Sequence, residues 1–217
     1  MSTVYDFIAK GGPVMIPIVG LSIATVYCAL ERTWYWWQIL RSEDKVAQKI
    51  LEAASFAPET AATIARDNQH LPIGRFLFAP LKLKYPSPET FRLALETAGD
   101  QEFIQMRRGD KLLETVIAIA PLLGLLGTVT GLIITFQNLN VGGGGSNIDT
   151  TKAAAGIAEA LITTAGGMVV AIIALAFLRL FVSFQATQMD YFSAVGSELE
   201  LIYRQSRELE AQINFLD

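Results

Sequence analysis

Three stretches of this 217-residue chain are longer and freer of charge than a water-soluble domain normally contains. Crossing the ~30 Å hydrocarbon layer of a bilayer takes about 20 apolar residues in helical form. Runs of that kind extend from Pro13 to Leu30, from Thr115 to Phe136 and from Ala153 to Phe181. The first ends in Glu31-Arg32-Thr33-Trp34-Tyr35-Trp36-Trp37, an aromatic cluster suited to a membrane–water interface. The second carries no charge, and the third is interrupted by Glu159 and Arg179. A lone strand in lipid would leave its backbone polar groups unpaired, so helix is the required form. Composition agrees, with 52% hydrophobic residues, only 18% charged and a mean hydropathy of +0.38. The expected fold class is therefore all-α: an integral membrane protein with three transmembrane helices and long cytoplasmic helical extensions.

The direction of the spans follows from the basic residues. Between the first and second runs lie Arg32, Arg41, Lys45, Lys49, Arg66, Arg75, Lys82, Lys84, Arg92, Arg107, Arg108 and Lys111, twelve of the chain's 17 Lys and Arg residues. Lys10 stands alone before the first run and Lys152 alone between the second and third, whereas Arg179, Arg204 and Arg207 lie at or beyond the third. The positive-inside rule places the N-terminus outside and both the large loop and the tail in the cytoplasm. The expected division is an outer N-terminus over 1–12, a first span with its interface over 13–37 and a cytoplasmic helical region over 38–114. A second span over 115–136, a short outer loop over 137–152, a third span over 153–183 and a cytoplasmic C-terminal helix over 184–217 complete it. Met1 to Lys10 has no basic leader region, so a cleaved signal peptide is not expected.

Within the large loop, Glu43–Ala54 and Glu89–Leu113 mix apolar and charged residues at helical spacing, around a middle punctuated by Pro58, Pro72, Pro80, Pro86 and Pro88. Ser87 before Pro88 reads as a helix N-cap. In the tail, Phe184, Phe192, Val195, Leu199, Ile202 and Leu209 suggest a continuing helix whose apolar face packs between neighbouring subunits. Gly142-Gly143-Gly144-Gly145-Ser146 reads as a flexible loop, not a phosphate cradle, because no Lys-Ser/Thr pair follows it. The lone Cys28 lies in an apolar run and the lone His70 in a polar one; packing and solvation are their expected roles. No cofactor, metal or nucleic-acid partner is expected, and no nucleophile–base pair points to an enzyme.

Two stripes carry the functional signal. In the second span Gly124, Gly127, Thr128, Gly131 and Thr135 recur at intervals of three and four, placing them on one side of a helix. Gly156, Ala160, Thr163, Thr164, Gly167 and Ala171 form a matching stripe in the third. Small-residue stripes of this kind suffice for close helix packing, and the hydroxyls could in addition face a cavity. Counting inward from Phe136 and from Gly156 puts Thr128 and Thr164 both about 12 Å deep, on one level. Glu159 is the one carboxylate inside these two spans, and an acid at membrane depth is by default a functional hypothesis. About one turn from the outer end of its helix, it could be a pore-mouth group reaching water or Lys152, or a proton carrier. With no acid near the threonines, a proton path there needs a carboxylate from another chain.

The segment Ala120-Pro121-Leu122-Leu123-Gly124-Leu125-Leu126-Gly127-Thr128-Val129-Thr130-Gly131 resembles the second-span signature of ExbB, TolQ and, more distantly, MotA. Gly156-Ile157-Ala158-Glu159-Ala160-Leu161, followed by Thr163-Thr164-Ala165, is similar to the third-span signature of ExbB and TolQ, and Pro13-Val14-Met15-Ile16-Pro17 with Glu31-Arg32 to the first. The resemblance implies a homopentamer in a bacterial inner membrane, with a periplasmic N-terminus and a cytoplasmic C-terminus, surrounded by membrane lipids. Its second and third helices would line a proton channel around an ExbD/TolR-type single-span protein dimer. In that scheme a partner aspartate exchanges protons beside Thr128 and Thr164, with Glu159, Thr163 and Thr135 along the same pathway. Gly124, Gly127, Gly131, Gly156, Ala160 and Gly167 pack the helices, and a TonB/TolA-type protein is a further candidate partner. The chain departs from the pattern at Ile172-Ile173-Ala174, where family members often carry a proline that would kink the helix. Two other readings stand beside this one: a non-conducting scaffold for an envelope protein, and a flagellar-type stator, which has four spans instead of three.

Overall fold

A computed structural model describes residues 11–140 and 150–216; the glycine-rich segment Gly142–Ser146 lies outside the described residues. The described residues form six helices: α1 (Met15–Phe56), α2 (Pro58–Asp67), α3 (Pro72–Leu81), α4 (Pro88–Met106), α5 (Asp110–Asn140) and α6 (Thr150–Leu216). Three helical stretches, Met15–Phe56, Pro88–Gln137 and Ala153–Leu209, are long and apolar enough to cross a membrane.

Helix boundaries follow the backbone chemistry of Pro and Gly. Helices α2, α3 and α4 all open on proline, whose missing N–H costs nothing in a first turn. Ser87 caps α4, its Oγ accepting from the Thr90 N–H at 3.2 Å. From Leu21 to Ala57 there is neither Gly nor Pro, so the helix expected over Glu43–Ala54 is not separate: it is the far end of α1. The stretch Glu89–Leu113, by contrast, is broken. Gly109 takes φ +96°, which ends the α4 turn and lets its carbonyl accept the first bonds of α5, from Leu112 N and Leu113 N at 3.1 Å each. The proline-punctuated middle holds α2 and α3.

The chain divides into two compact units, one from Met1–Arg32 and Gly109–Leu180, the other from Thr33–Arg108 and Phe181–Asp217. In the first, α5 and α6 pack through their small residues, while Gly166 of α6 lies against Met15 and Ile18 of α1. Cys28 is buried and its thiol sits on Gly109, where a Cβ would approach the sulfur to 2.9 Å. The outward faces are apolar: Ile23 and Leu30 on α1, Leu122 and Phe136 on α5, Leu161 and Ile172 on α6 are all exposed. A contiguous surface of this kind is what lipid covers in a membrane protein.

In the second unit the apolar face of the tail turns inward. Phe192, Val195 and Leu199 are buried, Phe192 against Phe76 and Phe103 at ring-centre distances of 4.7 and 5.6 Å. Phe91 stacks on Tyr203 at 4.2 Å, and the Tyr203 hydroxyl donates to the Pro86 carbonyl at 2.6 Å. The subunit-to-subunit packing expected of this stripe is therefore corrected for those three residues: they are buried within the single chain, Phe192 under Phe76 of α3 and Phe103 of α4. Leu209 stays exposed. His70 is exposed, in keeping with its ordinary role.

Candidate functional site

The α5–α6 seam is built by absent side chains. A Cβ on Gly124 would stand 3.0 Å from the Thr164 Cα, and one on Gly131 would stand 2.7 Å from the Gly156 carbonyl oxygen and 2.9 Å from the Ala160 Cβ. On Gly127 it would collide with the Thr163 hydroxyl, on Gly156 with the Thr135 hydroxyl and on Gly167 with the Ala120 carbonyl. Backbones this close exclude any larger residue, which is how small-residue stripes hold helices together without a hydrophobic drive.

The hydroxyls divide into two groups. Thr163 and Thr135 are buried in the seam, at 0% and 3% exposure. Thr163 Oγ1 donates to carbonyls of its own helix, Ala160 at 2.9 Å and Glu159 at 3.1 Å, while Thr135 Oγ1 reaches Gly131 O at 2.9 Å and, across the seam, Ala153 O at 3.4 Å. Thr164 is half-buried, and its Oγ1 crosses the seam to the Gly124 carbonyl at 2.9 Å. Thr128, also half-buried, bonds back to Leu125 O at 2.6 Å.

Gly124 meets Thr164 and Thr135 meets Ala153, so Thr128 stands level with Ala160, not with Thr164. The shared depth expected of the two threonines is corrected by one helical turn, about 6 Å. The reason is register: Gly156 packs on Gly131 and Thr135, a turn deeper than the Phe136 level from which the other count began.

Glu159 is half-buried and sits at the entrance to α1. Gly12 takes φ +64°, and a Cβ there would overlap the Glu159 carboxylate. Gly12 was not singled out from the sequence, because nothing local to Gly11-Gly12-Pro13 points to a residue so far along the chain.

The second unit holds a buried polar cluster that periodicity also could not reveal. Glu43 of α1 is 3% exposed and accepts from the Ile73 N–H at 3.0 Å and from Gln188 Nε2 of α6. It thereby caps α3, whose own N-cap residue, Leu71, has no side chain able to do so. Beside it Arg75 forms a bidentate pair with buried Glu102, Nε to Oε1 at 2.7 Å and Nη2 to Oε2 at 2.6 Å, and gives Nη1 to the Gln69 carbonyl at 2.8 Å. Burial pushes the Glu43 carboxyl up to about 7; the Ile73 and Gln188 hydrogen bonds oppose this, Glu102 adds to it and Arg75 offsets part.

Three apolar helical stretches and a glycine–threonine seam define a multi-span α-helical membrane protein. Residues 68–194 match the MotA/TolQ/ExbB proton channel family, and the chain belongs to that family. It is 62% identical over 200 residues to "Putative biopolymer transport protein ExbB-like 1" of Synechocystis sp., covering 92% of this chain and 79% of that one. "Putative biopolymer transport protein ExbB-like 3" of the same organism is 35% identical over 199 residues, 89% of this chain and 92% of the relative. "Tol-Pal system protein TolQ" of Haemophilus influenzae is 33% identical over 114 residues, 52% of this chain and 49% of that one. The chain is thus a channel-type membrane subunit close to ExbB and TolQ.

Proposed function

We propose that the chain is the proton-channel subunit of an ExbB/TolQ-type inner-membrane motor, five copies of which surround a dimer of an ExbD/TolR-type single-span partner. The N-terminus faces the periplasm, and residues 38–114 with 184–217 form the cytoplasmic part. Thr128, Thr164 and Glu159 line the proton path, while Thr163 and Thr135 back it from within the seam. The partner supplies an acid at the level of Thr164 and Gly124, where α5 and α6 carry none. A charge descending 100 mV releases about 2.3 kcal/mol, so successive proton transfers can drive rotation of ring and partner against each other. Through a TonB/TolA-type protein that work would reach outer-membrane transport or another envelope process.

The observation that carries this reading is the half-exposed Thr164 hydroxyl, anchored on Gly124 O beside a seam with no charge on α5 from Thr115 to Phe136. A hydroxyl so placed can accept from a titrating partner group through its lone pairs while its single proton stays on the Gly124 carbonyl. The test is to measure assembly and partner-dependent energised transport in Thr128→Val and Thr164→Val. Intact complexes that no longer couple are expected; unchanged coupling in both variants would overturn the pore-lining assignment. A non-conducting scaffold is the second reading, favoured by complete burial of Thr163, and it predicts that neither valine changes transport.

A further inference from the structure

Glu43 joins three helices at one buried point. Its carboxylate takes the Ile73 N–H at the start of α3 and the Gln188 amide of α6, while its own backbone belongs to α1. We propose that Glu43 is a proton-responsive clasp of the unit formed by Thr33–Arg108 and Phe181–Asp217, holding α1, α3 and α6 together when protonated and releasing its grip when ionised. This is a proton-binding site separate from the threonines and Glu159. Only the compartment it senses, the cytoplasm, rests on the function proposed above.

At 3% exposure the Glu43 carboxyl has almost no access to water, and ionisation there carries a desolvation cost. The charged and titratable groups facing it are Asp44 on α1, Arg75 on α3, Glu102 on α4 and Tyr191 on α6. Arg75 is committed to Glu102 through two hydrogen bonds, so its charge is largely matched before Glu43 ionises. Tyr191 is held protonated by burial and by its hydrogen bond with Asp44. Gln188 suits both states of the clasp: its amide N–H₂ donates to a carboxylate, and after a half-turn its carbonyl accepts from a carboxylic acid.

The sign follows from linkage. With the folded carboxyl near 7 and its ordinary value near 4.5, the folded unit binds the proton more tightly than the opened one. The clasp's contribution is therefore complete below about pH 4.5 and is lost as pH rises through 7. Proton entry would tighten the unit and alkalinisation would loosen it.

The test is amide hydrogen exchange of the full-length chain in lipid nanodiscs between pH 5 and 8, corrected for intrinsic chemistry and read at Ile73 and its neighbours in α3. In the native chain the opening constant should rise with pH by up to about a hundred-fold. In Glu43→Gln the rise should vanish. Gln188→Leu, which removes a donor to the carboxylate, should move the midpoint to higher pH. Equal pH slopes in the native chain and Glu43→Gln, or an unmoved midpoint in Gln188→Leu, would overturn the proposal. Exchange is read without ion flux, so a failed channel assignment would leave this result unaffected.

Discussion

The Thr164 hydroxyl donates to the Gly124 carbonyl at 2.9 Å, tying α6 to α5 at the point where Gly124 allows the closest backbone approach. Interhelical hydrogen bonds in membranes average about 0.6 kcal/mol. Thr164→Val should therefore cost no more than about 1 kcal/mol of stability in detergent unfolding while abolishing energised transport. Thr164→Ser, which keeps the hydroxyl, should retain both.

Gly127 and Thr163 form a sterically coupled pair. Gly127→Ala places a methyl group on the Thr163 hydroxyl and should destabilise the α5–α6 seam by about 1–3 kcal/mol. Removing the obstacle in Gly127→Ala/Thr163→Ala should recover part of that loss. Unfolding free energies of the four chains in a double-mutant cycle will show a coupling of at least about 0.5 kcal/mol.

Gly12 lies against the Glu159 carboxylate. Gly12→Ala should lower transport much as Glu159→Gln does, with assembly preserved, because the new Cβ occupies the place of the carboxylate. Gly12→Asn separates the two effects of the change: asparagine tolerates positive φ but still carries a Cβ. Equal transport loss in both variants, measured against complex yield, is the expected outcome.

Arg75→Met would leave Glu102 buried without its cation. Arg75 keeps 33% of its side chain exposed, so solvent screening brings the cost below that of breaking a fully buried pair, to about 2–3 kcal/mol. Because Arg75 also restrains Glu43, the Glu43 midpoint should move to higher pH in the same variant, as a carboxyl-resolved titration will show.

The legible parts of the sequence were those with local causes. Charge-free length revealed the spans, and the three- and four-residue spacing of Gly124, Gly127, Gly131 and Thr135 revealed the seam residues, which pack as a stripe should. Register was not legible: a one-turn slide of α6 preserves every stripe, so Thr128 and Thr164 were set on one level when Gly124 stands opposite Thr164. The break at Gly109 escaped for a related reason, since a single glycine within a helical pattern is compatible with continuation until its φ is known. Glu43 and Gln188 are 145 positions apart, and no periodicity connects them. Their pairing depends on α3 and α4 folding back onto both long helices.

The most direct test of the central claim is proton flux in liposomes containing this chain with its single-span partner, under an imposed membrane potential and followed by an internal pH dye. The account predicts flux that requires both proteins and disappears in Thr164→Val. Flux absent from the assembled native complex, or undiminished in Thr164→Val, would contradict it.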